Sequence, residues 1–363
     1  MKCTGSLGGV YLKTKLLMKG NDALARGAVF AGCRYFFGYP ITPQNEIPTY
    51  MAEELPKLGG VYLQAESEIG AINMIYGAAG CGKLAMTSSS GPGLSLKQEG
   101  ISYLCGAELP CVIVNIMRGG PGLGGILASQ GDYFQATRGG GHGDYRTLVL
   151  APATAQEMYD FAWDAFEIAF RYRNPVVILG DGILGQMMEP VELVSRPPVD
   201  PGNLDWPTTM AQGRSKRLIN SLYIDPVDLE NHNRKLGAKY ERMKKEEVRY
   251  EEVAMDDAEI CLVAYGTVAR IARSAIQRAR EAGIKAGMIR PITLFPFPDE
   301  IIQKRAEQVK MFLTVELSLG QMVEDVRLAV AGRRPVEFYG RQGGMVPTPK
   351  ELLTEIQRLG ASS

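Results

Sequence analysis

Cys111-Val112-Ile113-Val114-Asn115-Ile116-Met117-Arg118-Gly119-Gly120 is a nearly unbroken apolar run that ends on a cation and a glycine pair. A strand reads this way, rather than as a polar/apolar alternation, when helices cover both faces of a parallel sheet. Further short strand candidates lie at 35–38, 61–65, 84–88, 147–150 and 176–179, most of them apolar runs of the same kind. Between the last two, Ala155, Met158, Tyr159, Ala162, Ala165, Phe166 and Ala169 form one stripe of a helix over 155–172. Strands alternating with helices predict an open α/β domain whose ligand groups sit at the carboxyl ends of the strands.

Working outward, residues 1–17 are unpatterned and read as an N-terminal extension, and Met18-Lys19-Gly20-Asn21 reads as the start of a first domain over 18–188. Five prolines (Pro190, Pro197, Pro198, Pro201, Pro207) then predict an extended connection. From Asp228 to Asp257 sixteen of thirty residues are charged, nine acidic and seven basic, while Leu236, Tyr240, Met243, Tyr250 and Ala254 keep a mostly helical spacing. That pattern predicts a largely solvated linker helix laced with ion pairs, so 189–257 is read as connection and linker. Residues 258–363 repeat the alternation on a smaller scale, with strands at 260–264, 285–289, 311–315 and 336–339 and helices at 268–282, 321–331 and 349–359. A second parallel α/β domain follows.

Composition narrows the chemistry. With 363 residues, 45% of them apolar and 22% charged, the chain can bury full cores. Forty Lys+Arg balance forty Asp+Glu, which gives no electrostatic footprint for nucleic acid or an anionic membrane. Two histidines, His142 and His232, cannot build a His-rich metal site. Cysteines at 3, 33, 81, 105, 111 and 261 match no cluster or zinc spacing and read as buried, reduced thiols of a cytoplasmic protein. No residue is expected to bind a metal.

Gly119 to Gly143 holds ten glycines in twenty-five residues, which implies tight turns or close approach of backbone to a ligand. Within it, residues 120–125 match GxGxxG, with Asp144 downstream; read literally, this is a dinucleotide fingerprint. Pro121 in the tight turn argues instead for an active-site loop led by Arg118, a bidentate carboxylate binder or a plain surface arginine. Gly180-Asp181-Gly182 opens like a thiamin diphosphate signature, but no Asn-Asn pair follows, so a complete pyrophosphate and Mg²⁺ site is rejected. Glu66 and Glu68 mark a strand-to-helix transition, as functional carboxylates or as helix N-terminal charge. Tyr39-Pro40-Ile41-Thr42-Pro43 is a rigid turn able to present the Thr42 hydroxyl.

In order along the chain, Gly38-Tyr39-Pro40-Ile41-Thr42-Pro43 with Glu46, Glu66-Ser67-Glu68-Ile69 with 71–74, and 87–93 (TSSSGPG) resemble one family. Arg118-Gly119-Gly120-Pro121, the SQGDYFQATRGGGHGDYR stretch over 129–146, Glu316 to Gln321 and the GGMVPTP segment over 343–349 continue the likeness. It is that of the thiamin-diphosphate-dependent 2-oxoacid:ferredoxin oxidoreductases, specifically the alpha subunit with the pyrimidine-binding domain. The GGGHGDY, GQMMEPVEL and GGMVPTP stretches look most like the branched-chain, 2-oxoisovalerate subgroup, with the 2-oxoglutarate subgroup next.

The resemblance implies an α/β thiamin-binding (pyrimidine) fold followed by a transketolase C-terminal-like domain. It implies that Glu68 hydrogen-bonds N1′ of the aminopyrimidine, with Glu66 the competitor, that Pro40 lines the pyrimidine pocket, and that Thr42 and Arg118 hold the substrate's oxo and carboxylate groups. The implied reaction is CoA-dependent oxidative decarboxylation of a 2-oxoacid to acyl-CoA and CO₂ with reduction of ferredoxin. Partners would be a beta subunit for the pyrophosphate, Mg²⁺ and a [4Fe-4S] cluster, a ferredoxin-like delta subunit and a gamma subunit. Two other readings are a stand-alone NAD(P)-binding dehydrogenase and a non-catalytic scaffold.

Overall fold

The computed structural model describes residues 14–194, 196–209 and 211–361. In chain order the strands are β1 (Thr14–Lys19), β2 (Tyr35–Gly38), β3 (Val61–Gln64), β4 (Ala85–Ser89), β5 (Val112–Met117), β6 (Leu148–Leu150), β7 (Val176–Asp181) and β8 (Met188–Leu193). They continue as β9 (Tyr250–Val253), β10 (Ile260–Val263), β11 (Ala286–Pro291), β12 (Thr293–Phe295), β13 (Met311–Glu316) and β14 (Val336–Gly340). The helices are α1 (Gly20–Phe30), α2 (Glu46–Glu54), α3 (Glu68–Gly80), α4 (Pro92–Gly106), α5 (Tyr133–Arg138) and α6 (Ala155–Tyr172). After them come α7 (Gly182–Gln186), α8 (Pro226–Glu246), α9 (Gly266–Glu281), α10 (Asp299–Ala306), α11 (Met322–Val330) and α12 (Pro349–Ala361).

The larger sheet has the order β12-β6-β7-β5-β4-β2-β3, parallel except for β12. Its central strands β4, β5 and β7 are buried along their whole length, because helices cover both faces. One face packs on α1 and α6, where Leu24, Phe36, Tyr159 and Phe166 meet; the other packs on α3 and α4 through Ile72, Ile75, Ile101 and Leu104. The smaller sheet runs β14-β13-β10-β11-β9, parallel apart from β9. Among the described residues no helix is long and apolar enough to cross a membrane.

The boundaries read between the units need correction. Residues 14–17 are not an appendage: β1 starts at Thr14 and pairs antiparallel with β8, while 1–13, including Cys3, lie outside the described residues. Pro190 does not break β8, because a two-stranded edge needs only half of each strand's hydrogen bonds. The charged helix stops at Glu246 rather than running on past Tyr250, which begins β9. It is largely exposed, with Leu236, Tyr240 and Met243 buried and Lys239 paired with the buried Glu108. Residues 293–295, read as part of the second domain, form β12 and complete the larger sheet beside β6.

The stretch after the glycine loop turns out to bind the two halves together. Gln130 donates to the Tyr265 carbonyl at 3.0 Å and accepts from the Leu317 amide at 3.0 Å. The Tyr133 hydroxyl donates to Asp325 at 2.6 Å, and the Phe134 amide donates to Gln321 Oε1 at 2.7 Å. Tyr133 and Tyr265 are buried side by side in a core that contains Ile113 and Leu179 from one sheet and Phe312 and Val263 from the other. Asp181 serves the same joint: it caps α7 through the Ile183 and Leu184 amides and accepts from the Thr267 amide and hydroxyl.

Candidate functional site

Glu68 is the first residue of α3. Ser67 before it is extended, and its Oγ accepts from the Gly70 amide at 3.1 Å, so the helix start is fixed and the carboxylate sits at its positive end. Only 6% of Glu68 is exposed. Gly93, in the first turn of α4, faces it: a Cβ there would stand 2.5 Å from Glu68 Oε1. Glycine is what lets the helix and the carboxylate approach. Glu66 lies apart on the exposed surface, against Gly70.

The turn after β2 carries Pro40 and Thr42, both exposed, and a cis peptide between Thr42 and Pro43. Arg118, one residue past β5, is largely buried. Its Nη1 donates to the Thr42 carbonyl at 2.9 Å and its Nη2 to the Leu123 carbonyl at 3.2 Å, so one guanidinium ties that turn to the glycine-rich loop. The loop closes on itself, with the Gly119 amide donating to the Leu127 carbonyl and the Gly125 amide to the Gly119 carbonyl. No helix opens from the GxGxxG match, the next one starting at Tyr133, so the helix N-terminus that a dinucleotide phosphate needs is missing there.

Buried polar atoms without a partner gather at this edge: Gln44 Nε2, Ser89 Oγ, Ser90 Oγ, Asn115 Oδ1 and Arg118 Nε. They belong to the ends of β2, β4 and β5, which are neighbours in the sheet. Folded proteins leave few such groups, and these five are free to meet a polar ligand. Beside Thr42 a cavity of about 590 Å³ is lined on its apolar side by Ile126, Leu127, Ala128, Ile183 and Met187. Glu46 is the charged residue in its wall. Burial pushes the Glu46 carboxyl up, but hydrogen bonds from Lys19, Asn21 and Gln186 outweigh it and hold the group below the usual carboxylate range.

The structure therefore brings Glu68, Thr42 and Arg118 to one sheet edge, with Pro40 on the same turn as Thr42. One residue there went unread in the sequence. Lys97 is completely buried, and its Nζ donates to Thr87 Oγ1 at 2.7 Å. Burial pulls the ammonium down to about 8, against an opposing pull from the Glu68 charge. Its signal was its spacing: it stands four residues after Gly93 on a helix whose Gly93 face meets Glu68. Without knowing that face, a lysine in a helix reads as surface.

Comparison with known proteins gives the family. The profile of the thiamine-diphosphate-binding domain of pyruvate flavodoxin/ferredoxin oxidoreductases matches residues 26–252, and that of pyruvate:ferredoxin oxidoreductase core domain II matches 258–352. The chain belongs to this family of thiamine-diphosphate-dependent 2-oxoacid:ferredoxin oxidoreductases, and it is a subunit type of those enzymes. It is 50% identical over 347 residues to the ketoisovalerate oxidoreductase subunit VorB of Methanothermobacter thermautotrophicus, covering 96% of this chain and 98% of that one. It is 40% identical over 359 residues to the 2-oxoglutarate synthase subunit KorA of Methanocaldococcus jannaschii, covering 92% and 97%. Among solved structures, the 2-oxoglutarate:ferredoxin oxidoreductase from Magnetococcus marinus superposes with a TM-score of 0.86 at 27% identity over 96% of this chain and 66% of that chain. A split-gene transketolase at 13% identity and a TM-score of 0.57 shares the fold.

The residues present fit one half of thiamin diphosphate. A buried carboxylate at a helix start, a glycine facing it and adjacent unpartnered hydroxyls offer an acid–base group and hydrogen bonds to an aminopyrimidine.

Proposed function

We propose that this chain supplies the pyrimidine half of a shared thiamin diphosphate site and the carboxylate anchor for a branched-chain 2-oxoacid, 2-oxoisovalerate. The product would be the acyl-CoA and CO₂, with electrons passing to ferredoxin. When bound, thiamin diphosphate supplies the carbon nucleophile and electron sink for decarboxylation. Glu68 holds and returns a proton at the pyrimidine N1′, and Pro40 lines the pocket around that ring. Arg118, with Nε unpartnered, pairs the substrate carboxylate, and Thr42 donates to its oxo or carboxylate oxygen.

The observation that carries the substrate choice is the cavity beside Thr42. Its wall offers Ile126, Leu127, Ala128, Ile183 and Met187 to an aliphatic side chain. For the second carboxylate of 2-oxoglutarate the lining residues supply no cation and oppose it with Glu46. The 50% identity to a ketoisovalerate oxidoreductase subunit points the same way. The reading keeps a catalytic unit built on the larger sheet, with β12 lent to it, and a smaller unit built on the second sheet. It assigns the pyrophosphate, Mg²⁺ and [4Fe-4S] clusters to beta, gamma and delta subunits in the cytoplasm. What supports that division is Asp181, whose two oxygens are taken by the Ile183, Leu184 and Thr267 donors.

The test is a comparison of CoA-dependent ferredoxin reduction by the co-purified complex with 2-oxoisovalerate, pyruvate and 2-oxoglutarate. The highest kcat/KM is expected for 2-oxoisovalerate, with one methylene worth about 1–3 kcal/mol of discrimination. Dominant 2-oxoglutarate turnover would overturn the substrate assignment.

A further inference from the structure

Of the motifs in this sequence, Gly343-Gly344-Met345 has no part in the chemistry set out above. It follows β14 in the smaller sheet and is seated on the end of β13. The Arg341 amide donates to the Glu316 carbonyl at 3.1 Å, and Gln342 Nε2 donates to the Ser318 carbonyl at 3.2 Å. The Met345 amide then returns to the Gln342 carbonyl at 3.1 Å and closes a turn. Both glycines in it are left-handed, with φ of +63° at Gly343 and +90° at Gly344. A Cβ on Gly343 would meet nothing within 4 Å, whereas one on Gly344 would stand 2.5 Å from Leu127 Cβ and 3.0 Å from its Cδ1. The first glycine turns the chain, and the second lets its backbone reach Leu127.

Leu127 lies on the return limb of the glycine-rich loop, in the wall of the cavity beside Thr42. The tip of that loop stands clear of the protein: a Cβ at Gly120, Gly122 or Gly125 would meet nothing within 4 Å, and Leu123 is 81% exposed. Its base is held from the second unit. A Cβ on Gly119 would lie 3.7 Å from the Gly343 carbonyl carbon and from the Gly344 nitrogen. The Gly119 amide donates to the Leu127 carbonyl at 2.9 Å. Two and three residues further on, Ser129 Oγ and the Gln130 amide donate to the Leu317 carbonyl at 3.2 and 2.8 Å. Tyr133 and its bond to Asp325 come after this anchor, on α5, and serve the joint between the sheets.

We infer that Gly344 is a positioning residue for substrate selection: the 343–345 turn backs the aliphatic wall and holds Leu127 where the branched side chain of the 2-oxoacid meets it. The inference rests on the reading of the cavity beside Thr42 as the side-chain pocket. It deepens that reading by giving the second unit a part in choosing the substrate. The contact runs through Leu127 Cβ, which is fixed to its backbone, so no change of rotamer relieves a methyl group added at Gly344. The loop itself has to move, and the wall moves with it. A substrate whose side chain is a single methyl group reaches that wall least.

The test uses the assembled complex as wild type, Gly344→Ala, Gly343→Ala, Gln342→Ala and Leu127→Ala. For each, kcat and KM of CoA-dependent ferredoxin reduction are measured with 2-oxoisovalerate and with pyruvate, beside the melting temperature. Gly344→Ala is expected to raise KM for 2-oxoisovalerate and to lower the ratio of its kcat/KM to that of pyruvate by about tenfold. Gly343→Ala puts a side chain on left-handed backbone without the contact, so it is expected to lower the melting temperature and keep the wild-type ratio. If Gly344→Ala does not assemble, Gln342→Ala loosens the seat of the turn without adding an atom and is expected to lower the ratio by about threefold. The same ratio in wild type and in whichever of these two variants assembles would overturn the inference, as would equal losses for both substrates, which place the effect at the carboxylate anchor. Leu127→Ala separates the two ideas. A ratio unchanged by it removes the pocket reading and the inference together, whereas a ratio changed by it but not at Gly344 or Gln342 removes the inference alone.

Discussion

Two buried glutamates stand at strand-to-helix junctions of this molecule, and they are finished differently. Glu316 ends β13 in the smaller sheet, where its carboxylate accepts from the Ser318 hydroxyl and from the amides of Gln321, Met322 and Val323 at 2.9–3.1 Å. Glu68 opens α3 at the edge of the larger sheet, and no described donor reaches its carboxylate. The Glu316 carboxylate is engaged by a hydroxyl and three amides; around Glu68, the Ser89 and Ser90 hydroxyls are left bare. Burial alone therefore does not identify a working acid. What separates the two is whether the protein has spent the lone pairs on itself or kept them for a ligand.

The sharpest way to break this comparison is to make the same change at both sites. Glu68→Gln in the complex is expected to lower kcat by about 10²- to 10⁴-fold, the usual contribution of a positioned acid–base group, while leaving the melting temperature close to wild type. Glu316→Gln should do the reverse, keeping kcat but costing on the order of 1–3 kcal/mol, because its amide turns a donor toward backbone N–H groups. Equal loss of activity at both positions would show that the contrast has no functional meaning.

Lys97 sharpens the same point through stability. Its folded pKa, about 8, lies below the ordinary 10.5, so the unfolded chain binds more protons between those values and stability rises with pH across that window. Replacing it by Met is expected to stabilise the chain by up to about 3 kcal/mol at pH 7, with the gain shrinking from pH 8 toward 10. Denaturant titrations at pH 7 and 9.5 measure it. A variant less stable than wild type at pH 7 would mean that the ammonium is structurally satisfied.

A smaller effect is expected at the joint between the sheets. Tyr133→Phe removes the hydrogen bond to Asp325 and should cost about 1.5–3 kcal/mol, seen as a lower unfolding midpoint with KM for the 2-oxoacid unchanged. A raised KM would mean that the joint also sets the glycine-rich loop that precedes it.

The difference between the two glutamates was half legible in the sequence. Ser67-Glu68 before a small-residue helix, and Arg118 at the end of an apolar run, follow from local rules, since strand ends and helix starts are set by neighbouring residues. Lys97 and Gly93 were not legible as a pair with Glu68, because their meeting depends on how α3 and α4 lie across β4. The SQGDY stretch likewise read as part of a site, yet Gln130 and Tyr133 grip Leu317, Tyr265 and Asp325, residues more than a hundred positions away. Strands β1, β8, β9 and β12 were missed for a related reason: they are short or edge strands whose pairing partners lie far along the chain.

By itself the sequence determined the α/β alternation, the central strands, the motifs of the family and the residue types at the strand ends, all of which depend on interactions within a few residues. The tertiary structure decided which carboxylate is left unsatisfied, which lysine is buried and which glycine-flanked segment joins the sheets, because burial and hydrogen-bond completion are properties of residues brought together from distant parts of the chain.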